Sequence, residues 1–134
     1  MNVLTKRYQS EPKALRLMRS DIRFCARADG FSETEVGEIV IASGEAFTNA
    51  IEHGHVPGSG VDVIYSSDGN EIVITIKDAG GGLEPSQKTW NKIVDRPHGG
   101  GRGRLIMKAL MDDVVMHIDP GDGTTVVMRI GLSA

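Results

Sequence analysis

Glu45 and Asn49 stand four residues apart, so a helix through them would put both on one face. A carboxylate there can take a proton from a hydroxyl or a water, and a carboxamide oxygen beside it is a hard ligand suited to Mg²⁺. Glu38 and Glu52 fall on the same face, so a solvated polar face accounts for the pattern as well. Asp78 is a second candidate. It ends an alternating apolar segment and is followed at once by Ala79, Gly80, Gly81 and Gly82. A carboxylate in that place can accept a hydrogen bond from an exocyclic amine, while glycine lets backbone lie flat against a ring. A glycine-rich turn closing a strand is the plainer alternative. A third candidate is Gly99-Gly100-Gly101-Arg102-Gly103-Arg104, directly before a helical pattern. Backbone N–H groups at a helix start, uncovered by glycine, make an anion site, and two arginines suit phosphate. A hinge is the alternative. The segment fits neither the P-loop nor the dinucleotide glycine pattern. Gly123-Thr124-Thr125 places two hydroxyls at the start of the last strand, where a plain strand start explains them equally well.

The elements that would position these groups can be read from periodicity. Val3, Thr5 and Arg7 alternate with Leu4, Lys6 and Tyr8, an edge-strand signal. Ser10-Glu11-Pro12 starts a helix, and Leu15, Met18, Ile22, Cys25 and Ala26 recur at helical spacing to about Asp29, before Gly30. Ser32-Glu33-Thr34-Glu35 is a capping box opening a second helix. Val36, Ile39, Val40, Phe47 and Ile51 form its apolar stripe, and Gly54 stops it. Val61, Val63 and Tyr65 pair with Ile72, Ile74 and Ile76 in a hairpin around Ser67-Asp68-Gly69-Asn70. Residues 83–98 form a long polar loop, of a length that is usually functional in a compact domain. A helix through Leu105–Met111, a strand at Val114–Met116 and a closing strand Thr124–Ile130 complete the chain. Three helices and about five strands, with hairpins in the second half, predict an α+β two-layer sandwich with a mixed, mostly antiparallel sheet.

The totals exclude several classes. A length of 134 residues suits one domain over residues 1–134. Hydrophobic residues at 40% and charged residues at 25% describe a globular chain rather than a disordered one. The net charge of −3 argues against a generic nucleic-acid binder. The single cysteine, Cys25, cannot form an internal disulfide and reads as a small hydrophobe. No apolar run is long enough to span a membrane and no leader is visible, so the expected location is cytoplasmic, without membrane contact. Seventeen glycines, several of them grouped, are the unusual feature of the composition.

The order of the motifs adds what none supplies alone. Glu-x-x-x-Asn-Ala-x-x-His lies on a helix, Asp-x-Gly-x-Gly follows a strand, a lid-like loop follows, Gly-x-Gly opens a helix, and Gly-Thr-Thr opens the last strand. This succession, over roughly residues 32 to 130, resembles the GHKL (histidine-kinase-like) ATPases, which include gyrase B and the sensor histidine kinases. The run from Gly44 to Gly54 is similar to that of the anti-sigma-factor serine/threonine kinases of the sporulation and general-stress type, and so is Leu110-Met111-Asp112-Asp113-Val114. The resemblance implies ATP and Mg²⁺ as cofactors. It makes Asn49 the residue that holds the metal at the ATP phosphates and Glu45 the base for a serine hydroxyl. It implies that Asp78 receives the adenine amine, with Gly80 and Gly82 along the base and Thr125 close by. Gly101 and Gly103 would hold phosphates and residues 83–100 would be the lid, while Arg102 and Arg104 are candidates, one or the other, to meet the γ-phosphate. His53 matches a family position with no chemical role attached. The implied partners are an anti-anti-sigma protein of the STAS type, as substrate, and a sigma factor, with a homodimer as a further possibility. One position departs: Gly99 stands where the sporulation kinases carry an arginine. That leaves an alternative, a nucleotide-binding module that sequesters its partner without phosphoryl transfer. The gyrase-like and sensor-kinase branches fit less well, since neither a transducer domain nor a dimerisation helix with a phosphoacceptor histidine is visible.

Overall fold

The structure, a computed structural model, describes residues 3–54, 59–78, 100–119 and 123–132. Strand β1 (Val3–Gln9) leads to helix α1 (Ala14–Ala28) and helix α2 (Glu33–Gly54). The hairpin β2 (Gly60–Ser67) and β3 (Glu71–Asp78) follows, then α3 (Gly100–Leu110), β4 (Asp113–Asp119) and β5 (Gly123–Gly131). The strands form one sheet in the order β1-β2-β3-β5-β4, and every neighbouring pair is antiparallel. β3 and β4 therefore run parallel, joined through α3, with β5 laid between them. That insertion turns an expected mixed sheet into a fully antiparallel one among the described residues.

Local chemistry explains most boundaries. The capping box forms as its sequence requires: the Ser32 N–H donates to Glu35 Oε1 at 3.0 Å, and the Glu35 N–H donates to Ser32 Oγ at 3.1 Å. At the hairpin turn Asp68 Oδ1 accepts from the Asn70 and Glu71 N–H groups at 2.8 and 2.9 Å, and Gly69 takes φ +93. These bonds hold the Asp68 carboxyl below its ordinary range. Helix α1 begins two residues after Pro12 rather than at it, and it ends where Gly30 takes φ +91. Helix α3 begins at Gly100, inside the glycine run, rather than near Leu105.

The three helices cover one face of the sheet. Even-numbered residues of β3 and β5 and odd-numbered residues of β2 point into this layer, with Val61, Val63, Tyr65, Ile72, Ile74, Ile76, Val126 and Met128 all buried. From the helices Met18, Ile22, Ile39, Phe47 and Met107 meet them, each fully buried. Tyr8 packs edge-on against Phe47, ring centroids 5.8 Å apart. Tyr8 also donates its hydroxyl to Asp21 Oδ2 at 2.6 Å, and Tyr65 donates to Asp29 Oδ2. Two bonds, one from within α1 and one from the residue that caps it, thus fasten that helix to β1 and β2. Cys25 lies between them on the same stripe, and burial together with Asp29 and Asp21 pushes its thiol up, as expected of an inert packing residue.

Candidate functional site

Helix α2 is more buried than a single apolar stripe predicts, because it is the middle helix, packed by α1 on one side, α3 on the other and the sheet beneath. Ala42, Ala46 and Ala50, at a spacing of four, turn small side chains toward the sheet, and all are buried. Small residues there leave a gap instead of filling it. The gap is lined by Ala46, Asn49 and Ala50 of α2, Ile76 and Asp78 of β3, and Thr124 and Val126 of β5. The empty space there, counted together with the solvent at its open mouth, is ≈ 250 Å³. Four walls are aliphatic and three groups are polar, the make-up of a ligand slot rather than of a packing defect.

The polar groups are placed by their elements. Asp78 ends β3 on the helix-facing side and is 1% exposed. Its Oδ2 accepts the Thr124 backbone N–H at 2.9 Å, so the carboxylate is fixed from the neighbouring strand. Asn49 is 7% exposed and Thr124 8% exposed. Asn49 Nδ2 and Thr124 Oγ1 are both buried without a hydrogen-bond partner among the described residues. Orphaned polar atoms are costly, and two of them facing one apolar-walled gap fit a polar ligand there. The solvated-face reading of α2 does not hold at Asn49, which is buried, although Glu52 is exposed.

Glu45 lies one turn before Asn49 and is half-buried. Across from both is Gly103 of α3. A β-carbon at Gly103 would stand 2.9 Å from Glu45 Oε2 and 3.5 Å from Asn49 Nδ2. Glycine lets the first turn of α3 approach the two side chains this closely without pushing the end of Glu45 aside, and that turn carries N–H groups with no intrahelical partner. The start of α3, Glu45 and Asn49 therefore converge at one end of the gap, while Asp78 and Thr124 sit toward the sheet. An aromatic ring bearing an amine fits the second region, and an anion fits the first.

Thr125 is placed differently from the expectation. It pairs with Lys77 and His117 on the sheet face away from the helices, because adjacent strand residues point to opposite faces. Thr124 takes the place facing the gap. The parity of β5 held the signal: Val126, Met128 and Ile130 are the inward set, and Thr124 belongs with them. Ala46 and Ala50 were likewise missed as walls, since alanine carries no chemistry of its own. Gly80, Gly82, Gly99 and residues 83–99 of the expected lid lie outside the described residues, as do the side chains of His53, Arg102 and Arg104. The backbone of Gly101 is helical, in the first turn of α3. Among the described residues no cluster of His, Cys, Asp or Glu could hold a metal unaided, and no helix is long and apolar enough to cross a membrane.

The chain belongs to the histidine kinase-like ATPase domain family, whose model matches residues 8–130. Within that family it groups with the anti-sigma-factor kinases. It is 33% identical over 109 residues to an anti-sigma F factor of Thermoanaerobacter sp. (strain X514), across 78% of this chain and 76% of the relative. A serine-protein kinase RsbW of Bacillus pumilus is 27% identical across 96% of this chain and 85% of the relative. Among solved structures, that of the RsbU and RsbW domains of a Mycobacterium tuberculosis protein superposes with a TM-score of 0.75 at 20% identity, which shows the GHKL fold. The match covers 98% of this chain and 32% of that one, so the chain spans about a third of the larger protein.

Proposed function

We propose that this chain is one domain, an ATP-dependent serine/threonine protein kinase that acts as an anti-sigma factor, phosphorylating an anti-anti-sigma partner of the STAS type and binding a sigma factor. The observation that carries this reading is the gap between α2 and the sheet. Asp78, anchored by Thr124, stands at its apolar end, while Asn49, Glu45 and the Gly103 turn meet at the other. The Asp78 carboxylate accepts hydrogen bonds only, so it favours the amine of adenine over the carbonyl of guanine. Ile76, Val126, Ala46 and Ala50 sandwich the base and exclude water. The N–H groups of the first turn of α3, that of Gly101 among them, hold phosphate oxygens, and Gly103 lets this turn come close to Glu45 and Asn49. Asn49 fits a Mg²⁺-bound phosphate: its carboxamide is buried and has an unmet valence, and turned about, it presents Oδ1 to the metal. Bound there, the metal would supply charge neutralisation between phosphate oxygens. Glu45, beside Asn49 but half-exposed, is reachable by a seryl hydroxyl from outside. It orients that hydroxyl and takes its proton as the new P–O bond forms and the β–γ bridge breaks.

Titration calorimetry with ATP and GTP, with and without Mg²⁺, tests the reading. Wild type binds ATP in preference to GTP, and Asp78→Asn and Asn49→Ala each weaken ATP by at least about tenfold. Glu45→Ala keeps ATP affinity and loses transfer to the STAS partner. Absence of ATP binding by wild type would overturn the site. Tight binding without transfer, in wild type, would leave the sequestering module instead.

A further inference from the structure

Helix α3 stands hard against α2 at the end of the site where phosphates would lie. The β-position of Gly103 is 2.9 Å from Glu45 Oε2, 3.5 Å from Asn49 Nδ2 and 3.7 Å from Asn49 Oδ1. A phosphate oxygen takes about 2.7–2.9 Å from a group that donates to it. A Mg²⁺ ion stands about 2.0–2.1 Å from each oxygen it binds. A phosphate and a metal placed in series between α3 and Asn49 therefore need more room than this contact leaves. The open space lies elsewhere. The gap is lined from α2, β3 and β5, and no described residue of α3 borders it. The base end of the site is open, and the phosphate end is closed by a helix.

The layer under that helix differs from the rest of the core. Helix α3 packs against α2 and β4, and its inward side chains include Met107 and Met111, both buried. Met116 of β4 and Met128 of β5 face the same layer and are buried with them. Between α1, α2 and the first three strands the filling is branched or aromatic instead, with Ile22, Ile39, Phe47 and Ile74 fully buried. Isoleucine is stiff at χ1, whereas methionine is unbranched and repacks at little cost. Close-packed interiors resist displacement, so a helix that has to travel needs a layer that can repack.

We propose that α3 is a clamp: it withdraws from α2 as one rod over the methionine layer to admit the phosphates and their metal, and returns to Glu45 and Asn49 when they leave. The inference rests on the kinase reading above and adds the displacement that nucleotide entry requires. Adenosine has the base but no phosphate, so it fills the gap and leaves α3 in place.

Spin labels at Arg16→Cys on α1 and Lys108→Cys on α3, both exposed positions, test this in a Cys25→Ser background. Double electron–electron resonance reads the distance between them. Helix α2 lies between α1 and α3, so withdrawal of α3 lengthens that distance. With ATP and Mg²⁺ it grows by about 2–3 Å, and with adenosine it stays. A second variant, Met107→Ile with Met116→Ile, stiffens the layer at nearly constant volume. It keeps adenosine affinity, loses about tenfold in ATP affinity and shows a smaller displacement. A distance unchanged at saturating ATP would overturn the proposal. An equal shift with adenosine, or full ATP affinity in the isoleucine pair, would do the same. The labelled protein with its methionines intact decides the displacement even where the isoleucine pair does not fold. Calorimetry on the same samples separates the two readings. Protein that binds ATP without moving α3 removes the clamp alone, whereas protein that binds no ATP removes the kinase site.

Discussion

One hydroxyl separates two neighbouring threonines into different roles. Thr124 presents Oγ1 to the gap without a partner, while Thr125 lies on the far face of the sheet. Thr124→Val keeps the shape and the backbone N–H that anchors Asp78, and removes only the orphaned hydroxyl. In the free protein this change is neutral or slightly stabilising, because an unmet buried group disappears. With ATP present the same change costs one hydrogen bond, about 0.5–1.5 kcal/mol, or roughly twofold to twelvefold in affinity. Thr125→Val leaves affinity unchanged. Titration of both variants decides it, and a larger loss in Thr125→Val would reverse the assignment.

At the scale of elements, caps and turns were the legible part. Ser32 and Glu35 exchange the two bonds their spacing foretells, so Ser32→Ala costs about 1 kcal/mol and lowers the melting temperature by about 3–5 °C. Calorimetry that finds no change would mean that tertiary packing alone holds the start of α2. The hairpin was equally plain, because Asp68 and Gly69 have chemistry that only a turn uses. Other features were hidden for physical reasons. Glycine is a poor helix former, so Gly100–Arg104 reads as loop until Gly103 is seen to be pressed against Glu45 and Asn49. Local pattern also cannot say that β5 will lie between β3 and β4, since strand order depends on long-range pairing. Of the site, Glu45, Asn49 and Asp78 were readable as types at meaningful spacings. The gap joining Asn49 to Asp78 was not, because its walls are two alanines and the parity of a strand.

For the molecule as a whole, the two tyrosine–aspartate bonds determine how it responds to alkali. Burial, then the bond to Asp21, pushes the Tyr8 hydroxyl well above its ordinary value, and burial with Asp29 does the same to Tyr65. A proton held more tightly in the folded state than in the unfolded one contributes stability that is complete below the unfolded pKa. Above that value the unfolded chain loses its proton first, and stability falls as pH rises. The tyrosine contribution is therefore intact at neutral pH and is lost from about pH 10 upward. The Cys25 thiol, also raised, adds a smaller decline that begins nearer pH 9. Urea denaturation from neutral to alkaline pH should show a plateau followed by a steady loss. Tyr8→Phe with Tyr65→Phe starts lower at neutral pH, by about 1–2 kcal/mol for each bond removed, because Asp21 and Asp29 each lose a donor. The same double variant then declines less steeply in alkali, since the groups that titrate are gone. An alkaline slope equal to that of wild type would place the titrating groups elsewhere.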